Sequence, residues 1–163
     1  TDIGAELISC PTCVKRSGTY WRIGVMFDKK VDKFIIRDTD SRLSIREALS
    51  VSEWLVSGRS FHVMRDHPYH NTPMMGGMWG GTVSECKKFE PDYVDWVIRT
   101  RGQHISDQVF LKDMMWPVVK DNVCSHGTRF NYTGEEKEFS VELDKDLFVG
   151  QVYDYNNIPQ VVY

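Results

Sequence analysis

The sequence predicts an α/β fold, a mixed sheet flanked by helices in a single domain, and three stretches carry that expectation. Residues 34–36, Phe-Ile-Ile, form a short apolar run bounded by charge and rich in β-branched side chains, the pattern of a buried parallel strand. Ser44-Ile-Arg-Glu47 has the form of a capping box, a serine N-cap with glutamate three residues on, and so opens a helix. Residues 60–65, Ser-Phe-His-Val-Met-Arg, are apolar again and end in charge. Strand, helix and strand then follow one another as in a βαβ unit.

Length and composition bound the function classes. At 163 residues the chain can bury a real core as one domain, and 41% hydrophobic with 26% charged residues is ordinary for a water-soluble fold. A formal charge of −3 with Lys and Arg spread along the chain gives no footprint for nucleic acid. No stretch approaches the roughly 20 apolar residues of a transmembrane segment. Of the four cysteines, Cys10 and Cys13 have C-x-x-C spacing, but Cys86 and Cys124 are too far apart in sequence to supply the second close pair of a zinc site. They read as free thiols in a reducing, cytoplasmic compartment.

Taken in order, residues 5–9 read as a short strand ended by Pro11. Residues 19–27 have helical length, with Ile23, Met26 and Phe27 toward the sheet. Arg22 sits among aromatics there, where its stem alone would suit covering apolar surface. The strand at 34–36 ends in Asp38-Thr39-Asp40. Two carboxylates at i and i+2, where a strand gives way to a loop, suit a hard divalent cation, although a solvated Asp-rich turn looks the same in sequence. The helix after Ser44 offers Ile45, Ala48, Leu49, Leu55 and Val56 as its apolar face, and Gly58 stops it.

After the strand at 60–65 comes a loop dense in polar side chains, residues 66–73, and then Met74-Met-Gly-Gly-Met-Trp-Gly-Gly81. Its paired glycines fit either close approach of backbone to a ligand or a tight turn in an edge hairpin. Residues 91–101 read as a helix with Tyr93, Val94, Val97 and Ile98 on one side, stopped by Gly102. Ser106 caps another over 107–116, closed by Pro117. Asp107 and Gln108 lie in its first turn, where a carboxylate also suits the helix dipole. Residues 118–124 read as a strand leading to His126-Gly127, where a lone histidine is more often a structural hydrogen-bonder than a ligand, 131–137 as a polar turn, and 139–143 and 147–153 as further strands.

Tyr20-x-Arg22, the strand ending in Asp38-x-Asp40, the Gly76-Gly77 loop, Asp107-Gln108 at a helix start and His126-Gly127 after a late strand stand in one order. That order resembles the GT-A glycosyltransferases, in particular the glycogenin-like and bacterial and viral retaining enzymes, over roughly residues 4–152. The runs Arg-Asp-Thr-Asp-Ser-Arg-Leu-Ser and Met-Arg-Asp-His-Pro-Tyr-His look like the same group. The resemblance implies a Rossmann-like GT-A sheet. It also implies Mn²⁺ or Mg²⁺ on Asp38, Asp40 and His126, bridging the phosphates of a nucleotide-sugar donor, with UDP the expected nucleotide. Tyr20, Arg22, Arg65, Gly76 and Gly77 would line the donor. Asp107 would hold sugar hydroxyls and Gln108 would face the anomeric carbon. Asp66 is the spare base for an inverting reaction, and Trp79 is either a platform for the glycan or glycolipid acceptor or a core tryptophan. Where the family often has Asn beside the glycine loop, Gly or Met stands here. The resemblance further implies a nucleoside-binding βαβ half ahead of Ala5, for which this chain has no room, so it reads as part of a longer protein.

Two other readings compete. A phosphatase of the haloacid-dehalogenase kind also places D-x-D after a buried strand, but Arg42 stands where Thr or Val is usual. A glycosyltransferase remnant that binds a glycan or a partner without catalysis fits the short amino-terminal part.

Overall fold

The computed structural model describes residues 18–100, 106–143 and 147–160. The strand expected over residues 5–9, the Cys10/Cys13 pair and Gly102 lie outside them. The described strands form one four-stranded mixed sheet, β1 (Lys33–Ile36), β2 (Phe61–Arg65), β3 (Trp79–Thr82) and β4 (Val123–Gly127), in the order β1-β3-β2-β4. β3 is antiparallel to both β1 and β2, and β2 is parallel to β4.

The βαβ expectation therefore holds in part. Helix α2 (Ile45–Val56) does connect β1 to β2, but β3 is inserted between those strands. β1 is thus an edge strand with an antiparallel neighbour and alternating burial, not a strand buried on both faces. The sequence hid β3 because it reads Trp-Gly-Gly-Thr. Glycine weakens a strand interior, yet packing requires it here. A Cβ at Gly80 would stand 2.6 Å from the Phe34 carbonyl oxygen.

The two faces differ in chemistry. Phe34, Ile36, Phe61, Val63, Trp79 and Val123 share one face and pack on Ile23 and Met26, which follow from helix α1 (Thr19–Ile23) into the 3₁₀ turn Gly24–Phe27. Phe110, Leu111 and Met115 join them from a second helical stretch. That stretch runs through α5 (Ser106–Phe110), a π-helical turn Leu111–Met115 and α6 (Trp116–Val119). The expected stop at Pro117 does not occur. The π turn precedes it, so Pro117 falls in the first turn of α6, where its missing N–H matters least. Helix and 3₁₀ turn extend to Asn122, so β4 starts five residues later than the sequence pattern suggests.

α2 covers the other face, and not by its most apolar stripe. Its capping box forms as expected, and Gly58 takes the left-handed conformation after it. The buried residues are Glu47, Ser50 and Trp54, while Ile45, Leu55 and Val56 are exposed. Glu47 is held by Arg37 at 3.1 Å and by the cap. Trp54 stacks on His62 and donates to the Arg59 carbonyl. Polar anchoring at both ends of the stripe decides the helix rotation. Helices α3 (Val83–Cys86) and α4 (Glu90–Thr100) follow β3. In α4, Tyr93 and Trp96 reach the core, whereas Val94 and Ile98 face solvent. Residues 139–143 and the described part of 147–153 form no ladder strand; only isolated bridges such as Ser41 to Val152 occur there. Among the described residues no helix is long and apolar enough to cross a membrane.

Candidate functional site

At the carboxyl end of β1 the chain turns through Asp38-Thr39-Asp40-Ser41, closed by the Ser41 amide donating to the Asp38 carbonyl at 3.2 Å. The Asp38 side chain is half exposed and paired with the Arg22 guanidinium from α1. The same guanidinium donates to Asp107 of α5 at 2.8 Å, and Asp107 is buried. Glycines make this junction possible. A Cβ at Gly77 would fall 2.0 Å from the Asp38 Oδ2, and one at Gly76 would meet Arg22 at 2.8 Å and Asp107 at 3.1 Å. Gly76 and Gly77 are the central residues of a tight turn closed by the Met78 amide donating to the Met75 carbonyl at 3.1 Å, and the close approach of their backbone is to the protein's own charged cluster. Gln108 lies beside this turn, its Nε2 3.8 Å from the Met75 sulfur.

Residues from four distant stretches thus stand together: Arg22, Asp38, Gly76 with Gly77, and Asp107 with Gln108. Asp38 and Asp107 share the Arg22 guanidinium, and Arg37, bonded to Glu47, lies within electrostatic range of Asp38. The Asp40 side chain is exposed, and its carbonyl accepts from the Tyr153 amide.

Other expected members stand elsewhere. His126 lies on β4, at the opposite edge of the sheet from β1. Three strand spacings separate those edges, about 14 Å. It also points to the other face, toward α2. Its Nε2–H donates to Glu53 at 3.1 Å, leaving Nδ1 to accept from the His62 Nε2–H at 3.2 Å. The expected three-ligand set of Asp38, Asp40 and His126 is therefore not assembled, and among the described residues no group of three His, Cys, Asp or Glu is placed to hold a metal ion. Burial, then the neighbouring His126, pushes His62 down to about 2, and burial lowers His126 as well. Glu53 is lowered chiefly by the hydrogen bond from Ser140, then by His126. This line is closed and neutral at its core.

Arg65 is buried at 1% exposure, and its guanidinium is engaged inside the protein. It donates to the Pro73 carbonyl, to Ser125 at 2.6 Å and to Glu136 at 2.7 Å, with its guanidinium over the Tyr132 ring. Asp66 accepts from Arg46 at 2.8 Å and from the Val149 amide at 3.0 Å, and burial raises its pKa. It ties the 147–153 segment to α2 and stands apart from the Arg22 cluster. The Tyr20 hydroxyl is 2.6 Å from that of Thr100 on α4. Trp79 is fully buried in the main core, so it offers no platform.

The sequence reading missed Glu136 and Glu53, the carboxylates that complete the two interior networks. A buried arginine signals that an acidic partner exists somewhere, but nothing in the spacing identifies it as residue 136. Glu53 sits on a helix face that reads as solvated.

No family model matches the chain, and no curated protein or solved structure is significantly similar to it.

Proposed function

We propose that the chain is a metal-dependent, GT-A-type glycosyltransferase domain that moves a hexosyl group from a nucleotide-diphosphate sugar, UDP-linked by preference, to a glycan-type acceptor, with retention of configuration. The observation that carries this reading is the convergence of Arg22, Asp38, Gly76, Gly77 and Asp107, separated by up to 85 residues, at one strand end. The carboxyl ends of strands in open α/β sheets are where ligands bind.

In this reading Arg22 supplies the fixed positive charge for the diphosphate, exchanging its bond to Asp38 for one to a phosphate oxygen. The planar guanidinium suits paired phosphate oxygens. Asp107, held in place by Arg22, accepts hydrogen bonds from sugar hydroxyls, and Gln108 presents its amide on the same side. The glycine turn lets the donor sugar lie close to backbone. Carboxylates beside a diphosphate repel it unless a cation intervenes, and two carboxylates suffice for Mg²⁺ or Mn²⁺ when phosphates and waters complete the shell. Asp38 and Asp40, both open to solvent, would hold that ion, which when bound neutralises charge on the departing diphosphate. His126 takes no part.

The test is a thermal-shift screen of nucleotide sugars with Mn²⁺ present, followed by product analysis for nucleoside diphosphate release. A ligand at about a hundredfold over its Kd stabilises the native state by about 2.7 kcal/mol. UDP-hexoses are expected to raise the melting temperature only with metal. Absence of any shift across the donor panel, with metal and without, would overturn the proposal.

A further inference from the structure

At the other end of β1, about 17 Å from Asp38 at roughly 3.3 Å per residue, the surface forms a concavity of about 190 Å³. Lys29, Val31, Asp32, Lys33, Thr82, Val83, Ser84 and Lys87 line it. It is smaller than the roughly 300–1,000 Å³ of clefts that take drug-sized ligands, so its occupant is a small group or the tip of a larger molecule.

The wall chemistry is one-sided. Lys29 comes from the turn after α1, Lys33 from β1 and Lys87 from the 3₁₀ turn after α3, so three separate segments each contribute a lysine. None of the three has a carboxylate within ion-pair distance among the described residues, whereas neighbouring Lys88 is paired with Glu85 at 3.9 Å. Lys33 is steered by the Trp54 ring, 5.3 Å from its centroid. The Ser84 hydroxyl makes no hydrogen bond to another described group, while that of Thr82 donates to the Ser60 carbonyl at 3.2 Å. Asp32 is the one acidic side chain in the wall; its carbonyl is occupied by the Val83 amide. Asp28, one residue before Lys29, accepts from the Lys30 amide at 2.9 Å.

We propose that this concavity is a second ligand site, for a phosphate-type oxyanion, held by Lys29, Lys33 and Lys87 with the Ser84 hydroxyl as a neutral donor. Three lysines with no carboxylate partner among the described residues, around a concave surface, focus positive potential that a compact anion relieves. Lysine suits a tetrahedral oxyanion approached from several sides, since its charge is a point and not a planar fork. The site does not depend on the sugar-transfer reading, because it shares no residue with the Arg22 cluster.

The probe is inorganic phosphate, titrated into the uniformly ¹⁵N-labelled protein in EDTA at physiological salt. The expected result is saturable amide shifts at residues 29–33 and 82–87, and at least tenfold weaker binding in the Lys29→Gln/Lys33→Gln/Lys87→Gln variant. A control variant, Lys112→Gln/Lys120→Gln/Lys137→Gln, carries the same charge change on other exposed lysines and is expected to bind as the wild type does. In a parallel arm, vesicles containing phosphatidic acid replace free phosphate; binding there alone, lost in the first variant, assigns the oxyanion to a lipid headgroup. Binding in neither arm, equal loss in both variants, or shifts confined to Gly76 and Gly77 would overturn the site.

Discussion

The Arg22–Asp38–Asp107 cluster and the Glu53–His126–His62 line are both chains of ionisable groups bridging a helix to the sheet, yet they are built for opposite ends. In the first, Asp38 is half exposed, Asp40 is open, and glycines clear the backbone from the charges. In the second, both histidines are fully buried, Trp54 covers His62, and hydrogen bonds run from ring to ring to carboxylate. Even its unpartnered atom is the cheaper kind: His62 Nδ1 is left as a bare acceptor on a neutral ring. An open cluster of charges can exchange partners with a ligand. A closed, buried line fixes helix to sheet. Changes to the second region should therefore cost stability, and changes to the first should cost ligand binding.

The largest effect expected is at Trp54, fully buried over His62. Trp54→Ala should lower the unfolding free energy by about 3–5 kcal/mol, read as a shift of the urea midpoint at unchanged m-value. Acid comes next. His62 is pushed down to about 2 and His70 to about 4, in both cases first by burial, from the ordinary 6.5. The unfolded chain therefore binds protons that the folded chain refuses once the pH drops below 6.5, and stability falls from there toward pH 4. Each histidine contributes at most about 1.4 kcal/mol per pH unit. Asp66, raised by burial, acts in the opposite sense and offsets part of the loss. Urea midpoints at pH 7, 6 and 5 should decline in that order; a flat profile would mean these rings protonate in place.

Gly77→Ala probes the open region. The added Cβ has to displace the Asp38 carboxylate, which is free to move toward solvent, so the expected stability cost is only about 1 kcal/mol. Donor binding by calorimetry should weaken at least tenfold. An unaltered Kd would show that the turn does not border the ligand. The smallest effect is at the α2 cap, where Ser44→Ala should cost about 1 kcal/mol and leave donor binding untouched.

What the sequence disclosed follows from which signals are local. The Ser44–Glu47 box is decided within one helical turn, and it forms as read. Gly76 and Gly77 were legible as a turn or a place of close approach, because a missing Cβ serves both, but not as neighbours of Asp38 and Arg22. The face of α2 was not legible, since Glu47 and Trp54 are buried by partners on other elements. Nor was β3, where glycine is tolerated because Phe34 and Phe61 crowd it. His126 misled for a sharper reason: a β-strand alternates faces with a period of two, and the strand reading placed β4 too early. His126 shares its face with Cys124 and His62, whereas Arg22 and Asp107 come from helices on the other side.

The account's central claim is that ligand recognition belongs to the Arg22 cluster and that the histidine line is framework. The most direct measurement is calorimetric titration of a UDP-hexose, with Mn²⁺, into the wild type, Arg22→Ala and His126→Gln. The account predicts that Arg22→Ala abolishes binding, while His126→Gln lowers the melting temperature and keeps the wild-type Kd. Binding that survives in Arg22→Ala and disappears in a folded His126→Gln would contradict it.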